Sequence, residues 1–327
     1  MNGIFIYSWC GYTVGIHMSA LETVGLTKYY GETRGIEDLT LSVESGEVFG
    51  YLGPNGAGKT TTIRTLLGFI APTDGEATVL GYDVRDERAL IEAKKRIGYL
   101  PSDPGFDEGA TGTQFLDYQA SLKGDDRREE LLELFDAPVE RAIEEYSRGN
   151  KQKLAIVSAF MHDPDLVIMD EPTSGLDPLM QERFYDFLED EQERGVTFFF
   201  SSHILSEVRK VCDRVGIIRD GKLVTTEDVE TLLDRNGKRV RLRTNEPVAR
   251  EEFEFAGVHD LVLDGAVQFT YTGEYDVLLD RLSDYHVVDV DIEEAPLDEV
   301  FMRFYGGEAS TDEAGEVSAS EGGEVDA

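Results

Sequence analysis

Basic residues are scarce in this chain. Lysine and arginine total 31 against 66 aspartates and glutamates, so the 327 residues carry a formal charge of -35. Phosphate backbones are gripped by clustered Lys and Arg, so this deficit argues against a direct nucleic-acid partner. Cysteine is nearly missing too. Two, Cys10 and Cys212, offer neither a disulfide framework nor a metal cluster, which suits the cytosol. Cys212 falls in an apolar helical stretch and reads as core. No run of about twenty apolar residues occurs, so nothing in the sequence reads as a membrane-spanning helix. Residues 1–17 hold no Asp, Glu, Lys or Arg and are rich in aromatics. They lack the basic start and longer apolar core of a signal peptide. They read as a start-site extension, with Met18 the true start; a short membrane-surface anchor is the alternative. The acids are spread along the chain rather than gathered in one tail. That pattern fits a surface kept hydrated in a salt-adapted cytoplasm; an acidic patch for a basic partner would be localised instead.

Glycine, by contrast, is placed with purpose. The stretch Gly53-Pro54-Asn55-Gly56-Ala57-Gly58-Lys59-Thr60-Thr61 fits G-x-x-x-x-G-K-[ST] without a mismatch. It follows the strand-like run 48–52 and precedes an expected helix over 61–68. Glycines let successive backbone N–H groups curl around a phosphate, and the helix N-terminus adds partial positive charge there. Lys59 can reach outer phosphates, and the Thr60 hydroxyl suits Mg²⁺. A second motif, residues 166–171, is four apolar residues followed by Asp170 and Glu171. The apolar run reads as a buried central strand. Its carboxylates would sit at the carboxyl end of a parallel sheet, where ligands collect. Asp170 is suited to hold Mg²⁺, directly or through water, and Glu171 to polarise an attacking water.

Three further features follow in order. These are Tyr146-Ser147-Arg148-Gly149-Asn150-Lys151-Gln152 ahead of a helical run over 153–161, then Ser174-Gly175-Leu176-Asp177, then His203 after the apolar strand 196–200. With these motifs in this order, the chain resembles the ATPase subunit of ABC transporters over roughly residues 18–230. The resemblance implies an α/β P-loop NTPase fold with an antiparallel edge sheet and a helical subdomain. It makes 53–61 the Walker A loop and 166–170 Walker B, with Glu171 the catalytic base. Ser147, Arg148 and Gly149 fall on the signature motif, Asp177 in the D-loop, and His203 is the switch histidine. Tyr30 matches the aromatic that stacks on adenine. Two copies, or one copy and a paralogue, would meet head to tail with ATP and Mg²⁺ between them. The phosphate loop of one would face Ser147 and Gly149 of the other, and His203 would contact the γ-phosphate and the attacking water. Closure would drive a hydrophobic permease subunit at the cytoplasmic face of the membrane.

Two departures from the family pattern stand out. Ser102 occupies the place of the usual Gln that helps coordinate Mg²⁺, and a serine reaches less far; a water, or Asp103, would have to substitute. The signature reads Tyr-Ser-Arg-Gly-Asn, keeping the serine and second glycine while Arg148 adds positive charge.

The expected organisation is an ATPase domain over 18–235, with its helical subdomain at about 103–150. A small α+β accessory domain over 236–305 and a disordered acidic tail over 306–327 follow. Strands are expected at 39–43, 77–84, 240–244, 261–263, 267–271 and 287–292, and a hairpin at 215–226. Helices are expected over 114–122, 127–135, 203–211, 275–282 and 297–305. A groove beside Ser102 and the 114–122 helix would take the permease's coupling helix. The segment 295–302 resembles the C-terminal extension of drug-resistance and type-2 permease exporters. Two functions compete for this architecture: an exporter's energising subunit, and a soluble ABC ATPase of translation or DNA repair. The soluble relatives usually carry two cassettes, or a coiled-coil or zinc insertion, none of which is read here. A kinase or GTPase would lack the signature and the switch histidine.

Overall fold

Continuous apolar runs fold here as central parallel strands. In the computed structural model, which describes residues 19–234, 237–245 and 248–294, the chain divides into two compact units between Asp234 and Arg235. The expected start-site extension, the 297–305 helix, the exporter-like 295–302 segment and the acidic tail lie outside the described residues.

The first unit opens with Ser19–Tyr30 (β1) and Thr33–Glu44 (β2), then Val48–Leu52 (β3) and the helix Lys59–Leu66 (α1). Asp74–Val79 (β4) and Tyr82–Asp83 (β5) follow, then Glu87–Lys94 (α2) and Ile97–Leu100 (β6). The helices Gly112–Lys123 (α3), Arg128–Phe135 (α4) and Arg148–Phe160 (α5) precede Leu166–Asp170 (β7), Pro178–Glu193 (α6) and Thr197–Ser202 (β8). Leu205–Val211 (α7), Arg214–Arg219 (β9), Lys222–Asp228 (β10) and Val229–Asp234 (α8) complete it.

The main sheet has the order β10-β9-β3-β8-β7-β6. Its strands from β9 to β6 are parallel, and β10 adds an antiparallel edge. Every residue of β3, β7 and β8 is buried, because both sheet faces are covered, and this is why these strands read as unbroken apolar runs. The expected antiparallel edge sheet is present as β2-β1-β4-β5. Between the sheets lies α1, which touches β2, β4 and β7 and contributes Ile63 and Leu66 to one core with Leu21, Ile36, Phe49 and Phe199. Each such side chain contributes about 1.5–3 kcal/mol by leaving water.

Two expected elements differ. The strand over 77–84 is a hairpin. Leu80 and Gly81 both have positive φ, 50° and 80°, the geometry of a two-residue turn that pairs Val79 with Tyr82. The helix expected from 153 begins at Arg148, because the Ser147 hydroxyl accepts from the Asn150 N–H at 3.3 Å and caps it.

The second unit contains Lys238–Thr244 (β11), Val258–Leu263 (β12), Val267–Tyr271 (β13), the helix Tyr275–Ser283 (α9) and Val287–Glu294 (β14). Its antiparallel sheet has the order β12-β13-β11-β14, that of a split β-α-β unit whose first crossover keeps one 3₁₀ turn at Arg250–Glu252. Phe253 follows that turn and is fully buried, with its ring 5.8 Å from Phe269 and 5.2 Å from Tyr285. Val240 and Leu242 face this core. Arg239, Arg241 and Arg243 on the alternate face stand opposite Glu293, Asp291 and Asp289.

Beyond the end of α5, His162 is buried, with Nε2 3.2 Å from the Ile97 carbonyl. Burial, then the nearby Lys123 ammonium, lowers its pKa from 6.5 to about 4. Between those values the unfolded chain binds the proton and the folded chain does not, so this contribution is present above pH 6.5 and lost toward pH 4. His162→Leu should therefore flatten the fall in melting temperature over that interval relative to the native chain. Identical slopes in paired thermal melts would contradict the assignment.

Candidate active site

The register of the parallel strands brings four carboxyl ends together. Leu52 pairs with Ser202, Asp170 with Ser201, and Leu100 with Met169. The phosphate loop, the Asp170–Glu171 pair, the turn carrying His203 and the segment of Ser102 therefore leave the sheet on one side.

The loop's shape depends on two glycines. At Gly58, φ is +112°, and a Cβ would lie 2.8 Å from the Gly35 carbonyl oxygen. At Gly53 a Cβ would lie 2.5 Å from the Ile218 carbonyl oxygen. Neither site admits a side chain without moving backbone. Lys59 is buried, and its ammonium donates to the carbonyls of Gly53 at 2.6 Å and Pro54 at 3.4 Å. It also lies 3.4 Å from Glu171 Oε1. The cation is thus held at the loop's centre.

Asp170, 2% exposed, accepts from Thr60 Oγ1 at 2.9 Å and from Ser201 Oγ at 3.0 Å. Glu171 takes a left-handed backbone, φ 53°, which costs a non-glycine residue about 1–3 kcal/mol. Its N–H donates to the Ser201 carbonyl at 2.9 Å, and its own carbonyl accepts from the Ser174 N–H at 3.1 Å. Glu171 Oε2 lies 2.6 Å from His203 Nδ1.

A cavity of about 420 Å³ collects Tyr30, Pro54, Asn55, Gly56, Gly58, Lys59, Thr60, Thr61, Ser102, Asp170 and Glu171. Tyr30 presents a half-exposed ring, with the Lys28 ammonium 5.4 Å from its centroid. Thr33, Arg34 and Gly35 also line the cavity. The sequence reading missed these three; their only signal was a place on the hairpin after Tyr30. Gly53 and Ala57 shape the loop from behind. Ser102 lines the cavity, and Asp103, the next residue, is not among its lining. The Thr60 hydroxyl, an Asp170 oxygen and the Ser102 hydroxyl are hard oxygen donors. They suit Mg²⁺ bound through one carboxylate and substrate phosphates.

The remaining motif residues form a second cluster outside this cavity. Arg148 donates to the Ser174 hydroxyl. Gly149 packs so closely on the next loop that a Cβ would lie 2.9 Å from the Gly175 carbonyl oxygen. Buried Gln152 donates to the Pro172 carbonyl at 2.6 Å. Asp177 accepts from the Met180 N–H at 3.0 Å and caps α6, with Pro178 in its first turn. Within one chain, Ser147, Arg148, Gly149 and Asp177 do not reach the phosphate loop's cavity.

A phosphate loop between a parallel strand and a helix, facing an Asp-Glu pair, defines a P-loop nucleoside triphosphatase. The family described as ABC transporter matches residues 36–174. The bacitracin transport ATP-binding protein BcrA of Bacillus licheniformis is 35% identical over 301 residues, spanning 88% of this chain and 97% of its own. The daunorubicin/doxorubicin resistance ATP-binding protein DrrA of Streptomyces peucetius is 36% identical over 244 residues, 71% of this chain and 73% of its own. A solved ATP-binding subunit of an ABC transporter superposes with TM-score 0.60 at 30% identity, covering 65% of this chain and 92% of its own. The chain belongs to the ABC transporter family, as one of its ATP-binding, ATP-hydrolysing subunits.

Replacing Lys59 with Ala should weaken ATP binding by about 100-fold, the scale of a lost charge-assisted phosphate contact. Titration with a fluorescent ATP analogue measures this; unchanged affinity would contradict the placement of phosphates over Lys59.

Proposed function

We propose that the chain energises an ABC-type exporter, acting as a head-to-tail pair with a second copy or a paralogue at the cytoplasmic face of the membrane. The observation that carries this reading is the division of the motifs into two clusters. One holds the phosphate loop and carboxylates; the other presents Ser147 and Gly149 at the start of α5, outside the same chain's cavity. A head-to-tail partner would supply the missing half to each site. Export is favoured by the relatives, whose names speak of bacitracin transport and daunorubicin/doxorubicin resistance. They give no support to a soluble role in translation or repair.

The geometry supports the following roles. The Tyr30 ring would take the adenine. The backbone N–H groups of the phosphate loop, with Lys59 and Thr61, would hold the phosphates. When bound, Mg²⁺ would neutralise phosphate charge beside Thr60, Asp170 and Ser102. Glu171 would accept the proton of a water whose oxygen attacks the γ-phosphorus. The bond from that phosphorus to the β,γ-bridging oxygen breaks, leaving ADP and phosphate. His203, in contact with Glu171, would orient the base and the γ-phosphate. Asp177 would act from the facing edge of the partner. A permease docking site is supported by a cavity of about 350 Å³ lined by Phe69, Tyr99, Pro101, Phe106 and Phe115, between β6 and α3. In the described residues no helix is long and apolar enough to cross a membrane, so the reading assigns the transport path to a separate subunit. The charge of -35 fits a salt-adapted cytoplasm.

Glu171→Gln should lower ATP turnover by about 100- to 10,000-fold, the usual worth of a positioned base, with little change in ATP affinity. It should also accumulate as an ATP-bound dimer on size-exclusion chromatography; full turnover would remove Glu171 from the role. The same variant, isolated with ATP from gently solubilised membranes, should bring a hydrophobic subunit with it. Recovery of ribosomes or nucleic acid instead would overturn the transporter reading.

A further inference from the structure

Glu207 is a buried acid that the proposed chemistry does not use. It lies in α7, 6% exposed, and no Lys, Arg or His among the described residues pairs with it. A buried carboxylate without a cation is costly and persists only where other donors satisfy it. Here the donors are hydroxyls. Thr173 Oγ1 donates to Oε1, and Ser202 Oγ donates to Oε2 at 2.6 Å. The Tyr185 phenol lies close enough that burial, and then the charge of Glu207, pushes its pKa up.

The two donors and the nearby phenol come from three segments. Thr173 stands two residues beyond Glu171. Ser202 ends β8, directly before His203, and its hydroxyl also accepts from the Ile204 N–H at 2.9 Å. Tyr185 belongs to α6, the helix that Asp177 caps. One carboxylate therefore ties the loop carrying Glu171 to the turn carrying His203, whose side chains meet at 2.6 Å. An apolar residue of similar size would fill the space but accept no hydrogen bond from either hydroxyl.

We propose that Glu207 is a positioning residue for ATP hydrolysis, bracing the Glu171 loop and the His203 turn so that base and histidine stay in contact. This rests on the proposed roles of Glu171 and His203. The test is steady-state ATP hydrolysis by the full-length chain with MgATP, alongside binding of a fluorescent ATP analogue. Glu207→Ala should lower kcat by about 30-fold or more while KM and analogue affinity stay within about threefold, since the interaction acts only on the chemical step. Glu207→Gln keeps an acceptor and should recover most of the rate. In a His203→Ala background, adding Glu207→Ala should cost less than about threefold, because the two residues act as one unit. A multiplicative loss in that background, or a raised KM with unchanged kcat, would overturn the proposal. Should Glu207→Ala fail to fold, Ser202→Ala decides by the same criteria: a kcat loss that vanishes in the His203→Ala background supports the brace, and an unchanged kcat sinks it. If His203→Ala and Glu171→Gln themselves hydrolyse ATP normally, the functional reading has failed rather than the brace.

Discussion

The parallel ladder through β3, β8 and β7 is the constraint on which the candidate site depends. Backbone pairing of Leu52 with Ser202 and of Ser201 with Asp170 fixes where three chain segments emerge from the sheet. A parallel ladder needs crossovers on both faces, and those crossovers bury the strands on both sides. The packing that stabilises the sheet thus also holds its carboxyl edge rigid. Phe198, Phe199 and Phe200 are all fully buried in β8, and Phe49 stacks 5.9 Å from Phe199.

At that edge, strain and charge are concentrated. Glu171 leaves β7 in a left-handed conformation, and backbone hydrogen bonds to Ser201 and Ser174 hold it there. Elsewhere, buried acids are matched by bases. Glu191 takes bidentate contacts from Arg127 at 2.5 and 2.8 Å and a further pair from Arg194 at 2.8 and 3.0 Å. Removing one partner from such a buried pair typically costs about 3–5 kcal/mol. Glu47 is met by Arg214 at 3.0 Å. Asp170 and Glu207 depart from this pattern, each answered by hydroxyls, and both lie beside Glu171 and His203. Many other cations, among them Arg85, Lys95, Arg141 and Lys210, pair with exposed acids, where water and salt leave such a pair worth little.

Much of the fold was legible in local pattern. The apolar runs at 48–52 and 166–170 read directly as buried strands because the parallel sheet hides both faces. The phosphate loop was legible because its glycines answer a local backbone demand. Other elements were hidden. Residues 178–193 form a sixteen-residue helix that was not expected, although Ser174-Gly175-Leu176-Asp177 before it was read as a motif. The Asp177 cap and Pro178 were its true start signals. The split of 77–84 into a hairpin was hidden because Leu80 is a poor residue for a positive φ, and it adopts one only under the pairing of β4 with β5.

What the sequence determined alone was which candidate groups the chain carries: a lysine suited to phosphate, oxygen donors suited to a metal and a carboxylate suited to polarising water. Spacing along the chain states these because the loop and strand that carry them are local structures. Tertiary structure decided which groups share a cavity. It brought Ser102 to the lining of the cavity and added Arg34 from the hairpin after Tyr30. It kept Ser147 and Gly149 on a separate surface and joined Thr173, Ser202 and Glu207 across three segments. Those juxtapositions depend on strand order, which sheet packing selects and local sequence does not encode.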